Sequence, residues 1–202
     1  MECGNILPGT AYTPPELRAL ALRRLSAPRY LHTLGVGAEA RALALRYGAS
    51  VQDAACAALL HDMTKEDDQL KLCAGYGIMP SGFELAAPKM LHALTAAAFA
   101  RRLGAPEDAV NAVRYHTTAR AGMSDLEKIV YLADFTEPFR RTLKGTRSGL
   151  ARLRALVFIG LDTAMDCALA LSADYLAEEG KPLHQDTLEA MEEMKGKATR
   201  WA

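Results

Sequence analysis

Apolar residues recur every three or four positions through most of this chain, the spacing that lines one face of a helix. The stripe is clearest in Val51, Ala54, Ala55, Ala58 and Leu59, and again in Leu150, Leu153, Val157, Leu161, Ala164, Ala168 and Leu171. Thr13-Pro14-Pro15-Glu16 predicts a helix start, with Thr13 as cap and Glu16 completing a capping box, and that helix runs to about Ser26. Pro28 opens a second helix ending near Tyr47, with Gly48 as its C-terminal cap. Gly35 and Gly37 lie inside it at a cost in helix stability, so a close approach to that backbone is expected.

Ser50 predicts the cap of a third helix, which finishes in His61-Asp62. Further helices are expected over Lys65 to Tyr76, from about Pro88 to Leu103, and from Pro106 through His116. Ser124 caps another that Pro138 stops; a long helix follows from near Gly149, and Asp186 caps a short final one. The segment from Gly77 to Gly82 reads as a turn and Arg140 to Ser148 as a loop. No strand and no internal repeat is apparent. The expectation is an all-α fold: one helical domain over residues 14–199, with residues 1–13 as an N-terminal extension.

Composition sharpens this picture. Half the residues are hydrophobic but only 6% are aromatic, and alanine and leucine, both good helix formers, supply much of the rest. The 24 basic and 24 acidic residues cancel, so neither nucleic acid nor an anionic membrane is expected as a partner. The N-terminus lacks a basic segment followed by an apolar run, and no apolar stretch is long enough to span a bilayer. Cytoplasm is the expected location. Cys3, Cys56, Cys73 and Cys167 are scattered without a CxxC pair, and reduced thiols are expected, Cys56 and Cys167 in the core.

Candidate chemistry rests on the histidines. Of the five, His32, His61, His92 and His116 fall in different predicted helices beside apolar residues. One such histidine is more often a core residue than a ligand. Four of them, with Asp62 directly after His61 and Asp134 inside the apolar run Ile129 to Phe135, form a set able to hold hard divalent ions. A carboxylate placed on a buried face is costly without an opposite charge or a metal.

The order His32, His61-Asp62, Asp134 resembles the H…HD…D signature of HD-domain metal-dependent phosphohydrolases. The blocks Arg29 to Val36, Ala58 to Asp62 with Lys65, Arg114 to Thr118, and Leu126 to Asp134 with Glu137-Pro138 look like the YqeK family. Its members are bacterial symmetrical bis(5′-nucleosyl)-tetraphosphatases, which split diadenosine tetraphosphate into two ADP. The resemblance spans residues 14 to 195 and implies an HD-domain helical bundle. It assigns His32, His61, Asp62 and Asp134 to one metal and His92 and His116 to a second, with Asp62 bridging.

Two divalent ions, iron by resemblance and manganese by the same donor chemistry, are the implied cofactors. Such a pair activates water and clamps both oxygens of a displacement at phosphorus. Asp62 and Lys65 are the candidate catalytic residues, and Thr117, Thr118, Arg120 and Arg140 the candidate phosphate contacts. His184 reads as structural. The segment Phe139 to Gly149 departs from the family in having adjacent arginines and no proline. Two other functions remain open: hydrolysis of another nucleotide (a nucleoside monophosphate, dNTP or signalling nucleotide), or nucleotide binding without catalysis. A homodimer is also left open. A cyclic dinucleotide phosphodiesterase is disfavoured, since no GYP tripeptide follows the HD segment.

Overall fold

The computed structural model describes residues 12–141 and 147–198. Cys3, most of the expected N-terminal extension, and residues 142–146 of the expected loop lie outside it. Within the described residues the fold is all-α, with no strand. The helices are α1 (Pro14–Arg24), α2 (Ala27–Tyr47), α3 (Val51–Leu60), α4 (Gln69–Tyr76), α5 (Gly82–Ala86), α6 (Leu91–Arg102), α7 (Glu107–Arg114), α8 (Asp125–Thr136), α9 (Arg147–Leu156), α10 (Leu161–Glu178) and α11 (Gln185–Ala198).

The centre of the fold is α3. Every residue from Ala54 to Leu60 is buried, so beyond its first turn this helix has no solvent face. Its run of alanines and one cysteine presents short side chains in all directions, which lets α1, α2, α6, α7 and α8 pack around it. Leu17, Leu20, Val36, Leu43, Leu60, Phe99, Val110, Ile129 and Leu132 fill the surrounding core. Truncating a residue such as Leu60, fully buried here, costs about 2–5 kcal/mol. The helix α10 packs on α8, and α11 returns against α10. A packed central helix that stops at His61 delivers His61-Asp62 to the middle of the protein on a rigid support.

Several local expectations are met. Gly48 ends α2 with a left-handed φ of 73°. The Ser50 hydroxyl accepts from the Asp53 N–H, and Ser124 caps α8 within a full capping box with Glu127. Cys56 is fully buried as expected, whereas Cys167, expected in the core, is only half-buried against it. His184 meets the Phe83 ring edge-on, and its Nδ1 accepts from the Asp186 N–H.

Other elements differ for identifiable reasons. Thr13 makes no side-chain cap, and α1 ends at Arg24. The expected helix from Lys65 begins only at Gln69, where Asp68 accepts the Lys71 N–H. Residues 61–67 instead form successive tight turns closed by Met63 N–H to Leu60 O, Lys65 N–H to Asp62 O and Asp67 N–H to Thr64 O. The expected turn from Gly77 leads into α5, a short helix that was not expected, nucleated by the capping box of Ser81 and Glu84. Pro88–Met90 is a 3₁₀ turn leading into α6. The helix α7 ends at Arg114, which leaves His116 in the turn beyond it. The long helix expected from Gly149 is two helices, α9 and α10, separated around an extended Gly160. Finally, α11 starts at Gln185, so Asp186 sits in its first turn rather than capping it.

Candidate metal centre

Each candidate ligand is delivered by a different local device. His32 projects from α2, His61 ends α3, and Asp62 opens the turns that follow. His92 stands in the first turn of α6, His116 in the turn after α7, and Asp134 near the end of α8. All six meet at the C-terminal end of α3.

Asp62 is completely buried, and its two oxygens face different neighbours. Oδ1 lies 3.2 Å from His92 Nε2 and 3.7 Å from His116 Nε2. Oδ2 lies 3.4 Å from His61 Nε2 and 3.8 Å from His32 Nε2. Asp134 Oδ1 is 3.1 Å from His32 Nε2. The donors thus form two overlapping groups, His32-His61-Asp62 and Asp62-His92-His116, joined by one carboxylate.

The histidine tautomers are set by the backbone. His61, His92 and His116 each place Nδ1 2.6 Å from the carbonyl three residues earlier, at Ala58, Lys89 and Val113. With Nδ1–H donating to a carbonyl, Nε2 of a neutral ring carries only its lone pair. His92 and His116 then aim bare Nε2 atoms at one another across 3.0 Å. Two lone pairs at that separation repel, and a shared cation turns the repulsion into coordination. This donor set fits divalent metal binding.

The electrostatics agree. Burial draws the His116 imidazole down to about 4, despite the opposing pull of Asp62, so the ring is neutral near pH 7. Burial likewise opposes charge on His61, but the adjacent Asp62 reverses the net effect and raises it. For Asp62 burial pushes upward, yet the neighbouring His61, His116 and His92 hold it well below the usual carboxylate range. Asp134 is also lowered: burial is outweighed by the His32 hydrogen bond and the charges of His61 and Arg140. Two ionised carboxylates among imidazoles are what a cation requires.

A cavity of about 380 Å³ opens onto this centre. Its lining combines polar side chains, among them Arg29, His32, Lys65, His116, Thr117, Asp134 and Arg140, with Phe135, Leu171, Tyr175 and Leu176. Lys65 Nζ is 2.9 Å from Asp62 Oδ1, and Arg140 Nη2 is 2.9 Å from Asp134 Oδ1. The Thr117 hydroxyl is buried without a hydrogen-bond partner among the described residues. A larger groove between α1, α2 and α3, about 680 Å³, has no His, Asp, Glu or Cys among its lining residues.

Two expected phosphate contacts do not reach the cavity. Arg120 is committed to Glu127 by a pair of bonds, Nε to Oε1 at 2.8 Å and Nη2 to Oε2 at 3.0 Å, and lies over the Tyr115 ring. That pairing neutralises a carboxylate whose side chain is fully buried, so the guanidinium serves the fold. Thr118 is buried beside α11, where its carbonyl accepts from the Thr187 hydroxyl at 2.7 Å. Conversely, Arg29 was not singled out by the sequence, yet its Nη1 is 2.6 Å from Asp62 Oδ2. Its position three residues before His32, one turn away on the same helix face, is the signal that could have found it.

An all-helical fold with histidine and aspartate donors converging at the end of a central helix has a counterpart among known families. Residues 29–138 match the family model for the HD domain. The symmetrical bis(5′-nucleosyl)-tetraphosphatase of Bacillus subtilis (strain 168) is 32% identical over 176 residues, covering 85% of this chain and 92% of the relative. The protein of the same name from Halalkalibacterium halodurans is 33% identical over 168 residues, covering 81% and 87%. A crystal structure from Clostridium acetobutylicum, described as a "predicted HD superfamily hydrolase involved in NAD metabolism", superposes with a TM-score of 0.82 at 30% identity. It covers 91% of this chain and 97% of that one. The chain therefore belongs to the HD domain family and, within it, to the family of symmetrical bis(5′-nucleosyl)-tetraphosphatases.

Proposed function

We propose that this protein hydrolyses dinucleoside tetraphosphates, with diadenosine tetraphosphate giving two ADP, at a site holding two divalent metal ions. The observation that carries the reading is the division of the Asp62 carboxylate between two histidine pairs. His32, His61, Asp62 and Asp134 would hold one ion, His92, His116 and Asp62 the other. When bound, such a pair supplies an activated water and neutralises charge developing at phosphorus. Iron is the metal we favour, with manganese compatible with the same donors.

The chain's own residues do the rest. Arg29, Lys65 and Arg140 gather positive charge along the cavity and attract a polyphosphate. Lys65 stands 2.9 Å from the shared carboxylate and is suited to stabilise the phosphoryl group under attack. The free Thr117 hydroxyl can donate to a phosphate oxygen. The planar Arg140 guanidinium, held by Asp134, can grip another. The apolar wall of Phe135, Leu171 and Leu176, with Tyr175, offers a surface for a nucleoside base. Water adds its oxygen to one ADP, and the other departs with the bridging oxygen and a proton.

The protein acts, in this reading, as one HD-type domain over residues 14–199. Among the described residues no helix is long and apolar enough to cross a membrane. Product identification tests the substrate assignment. Metal-loaded protein given diadenosine tetraphosphate should yield ADP as its only nucleotide product. AMP with ATP, or intact substrate beside turnover of a nucleoside monophosphate or dNTP, would overturn it.

A further inference from the structure

We propose that Glu137 is a positioning residue for His32, and that Gly35 is kept small to admit its carboxylate. The proposal rests on the reading of His32 as a metal ligand given above. Three of the four central histidines direct Nδ1 to a backbone carbonyl three residues earlier, at 2.6 Å in each case. His32 differs: its Nδ1 lies 3.3 Å from Glu137 Oε1, a side chain 105 residues away in sequence. A carboxylate acceptor makes an imidazole more basic and orients its other nitrogen towards a metal.

The surroundings are built for that one carboxylate. Glu137 is 3% exposed, and His32 is its one ion-pair partner among the described residues. A buried carboxylate is costly unless its oxygens are satisfied. Oε2 accepts the Phe139 N–H at 2.6 Å, leaving Oε1 to face His32. The backbone on either side is tied down by Arg154 of α9, which donates to the carbonyls of Thr136, Glu137 and Arg140.

Space comes from α2. A Cβ added at Gly35 would stand 2.6 Å from Glu137 Oε2 and 2.9 Å from the Phe139 ring. Gly35 therefore forms the notch in which the carboxylate rests, one helical turn beyond the histidine it orients. Gly37 has no such duty, since the nearest atom to its added Cβ is 3.9 Å away, an ordinary contact.

Calorimetric zinc binding to the full chain, with zinc as a diamagnetic probe, separates this role from simple support of the 137–140 turn. Wild type should bind zinc in two steps, and the exchange of the His32 Nδ1–H should be slow in the zinc-loaded protein by NMR. Glu137→Ala should weaken one step about 10–100-fold, leave the His92-His116 step unchanged, and speed exchange at His32 alone. Glu137→Gln, which keeps an acceptor oxygen and the shape, should restore most of the affinity. Gly35→Ala should behave like Glu137→Ala, because its methyl displaces the carboxylate. Unchanged zinc affinity in Glu137→Ala would overturn the proposal, as would equal weakening of both steps. Should the wild type bind zinc in both steps yet leave diadenosine tetraphosphate intact, the substrate reading fails, while the zinc comparison still decides Glu137.

Discussion

Replacing Asp62 by asparagine changes one buried oxygen to an amide at nearly constant volume, and the consequences can be worked from the geometry. One metal would lose its oxygen donor outright and the other would keep only a neutral amide oxygen, because Oδ1 serves the His92 side and Oδ2 the His32 side. Loss of an inner ligand should exceed the about 10–100-fold in affinity typical of an outer-shell partner. At free metal of about 100 times the wild-type Kd, binding stabilises the wild type by about 2.7 kcal/mol. For a chain of this size that raises Tm by about 5–11 °C. An affinity loss of about 100-fold leaves the variant at its own Kd, where the gain is about 0.4 kcal/mol, or about 1–2 °C.

Loss of several kcal/mol of charge stabilisation at phosphorus corresponds to a fall of about 10³-fold or more in kcat/KM. Without metal, the cost to folding should stay near 1–3 kcal/mol, because Arg29 and Lys65 are each about a third exposed, 31% and 32%, and can turn to water. The assay is differential scanning calorimetry with and without metal, beside metal content and turnover of diadenosine tetraphosphate. An Asp62→Asn protein that kept the wild-type metal content, metal-induced Tm shift and rate would refute the bridging role.

Further predictions follow from the same geometry. His92→Ala should release the ion on the His92-His116 side and retain most of the other, read as metal stoichiometry after gel filtration; equal loss of both would contradict the division. Lys65→Gln should keep its metals and lose about 10²-fold in kcat, and a change confined to KM would place the lysine in binding alone. Arg120→Ala should leave KM for the tetraphosphate near wild type but lower Tm, because it strips Glu127 of its partner; a large rise in KM at unchanged Tm would return the arginine to the substrate site.

The metal centre was more legible in the sequence than its surroundings. His61-Asp62 closes a strongly apolar helix, and Asp134 interrupts another, so both stood out against their neighbours. The existence of most helices was equally plain, α5 excepted, whereas some boundaries were not. Val157 and Leu161 are four residues apart and both buried, so the apolar period runs unbroken across the gap between α9 and α10. The first turns of α4 were misplaced because charged residues 65–68 suit a helix face as well as a loop.

Partner choice was the harder problem. Arg120 and Arg140 both follow a candidate ligand by a few residues, but one pairs with the capping glutamate of α8 and the other with Asp134. Sequence spacing cannot separate them, since Arg120 bonds seven residues ahead and Arg140 six behind. Glu137 was visible only as part of a motif, because its connection to His32 spans 105 residues. The cavity wall from α10 was hidden for the same reason: Leu171 reads as one more member of a core stripe.

The central claim is a site that needs two metals joined by Asp62, and a titration tests it most directly. Metal-stripped protein should be titrated with iron(II) under anaerobic conditions while turnover of diadenosine tetraphosphate is followed. The account predicts that activity rises until two equivalents per chain are bound, with ADP as the nucleotide product throughout. Full activity at one equivalent, or activity independent of added metal, would contradict it.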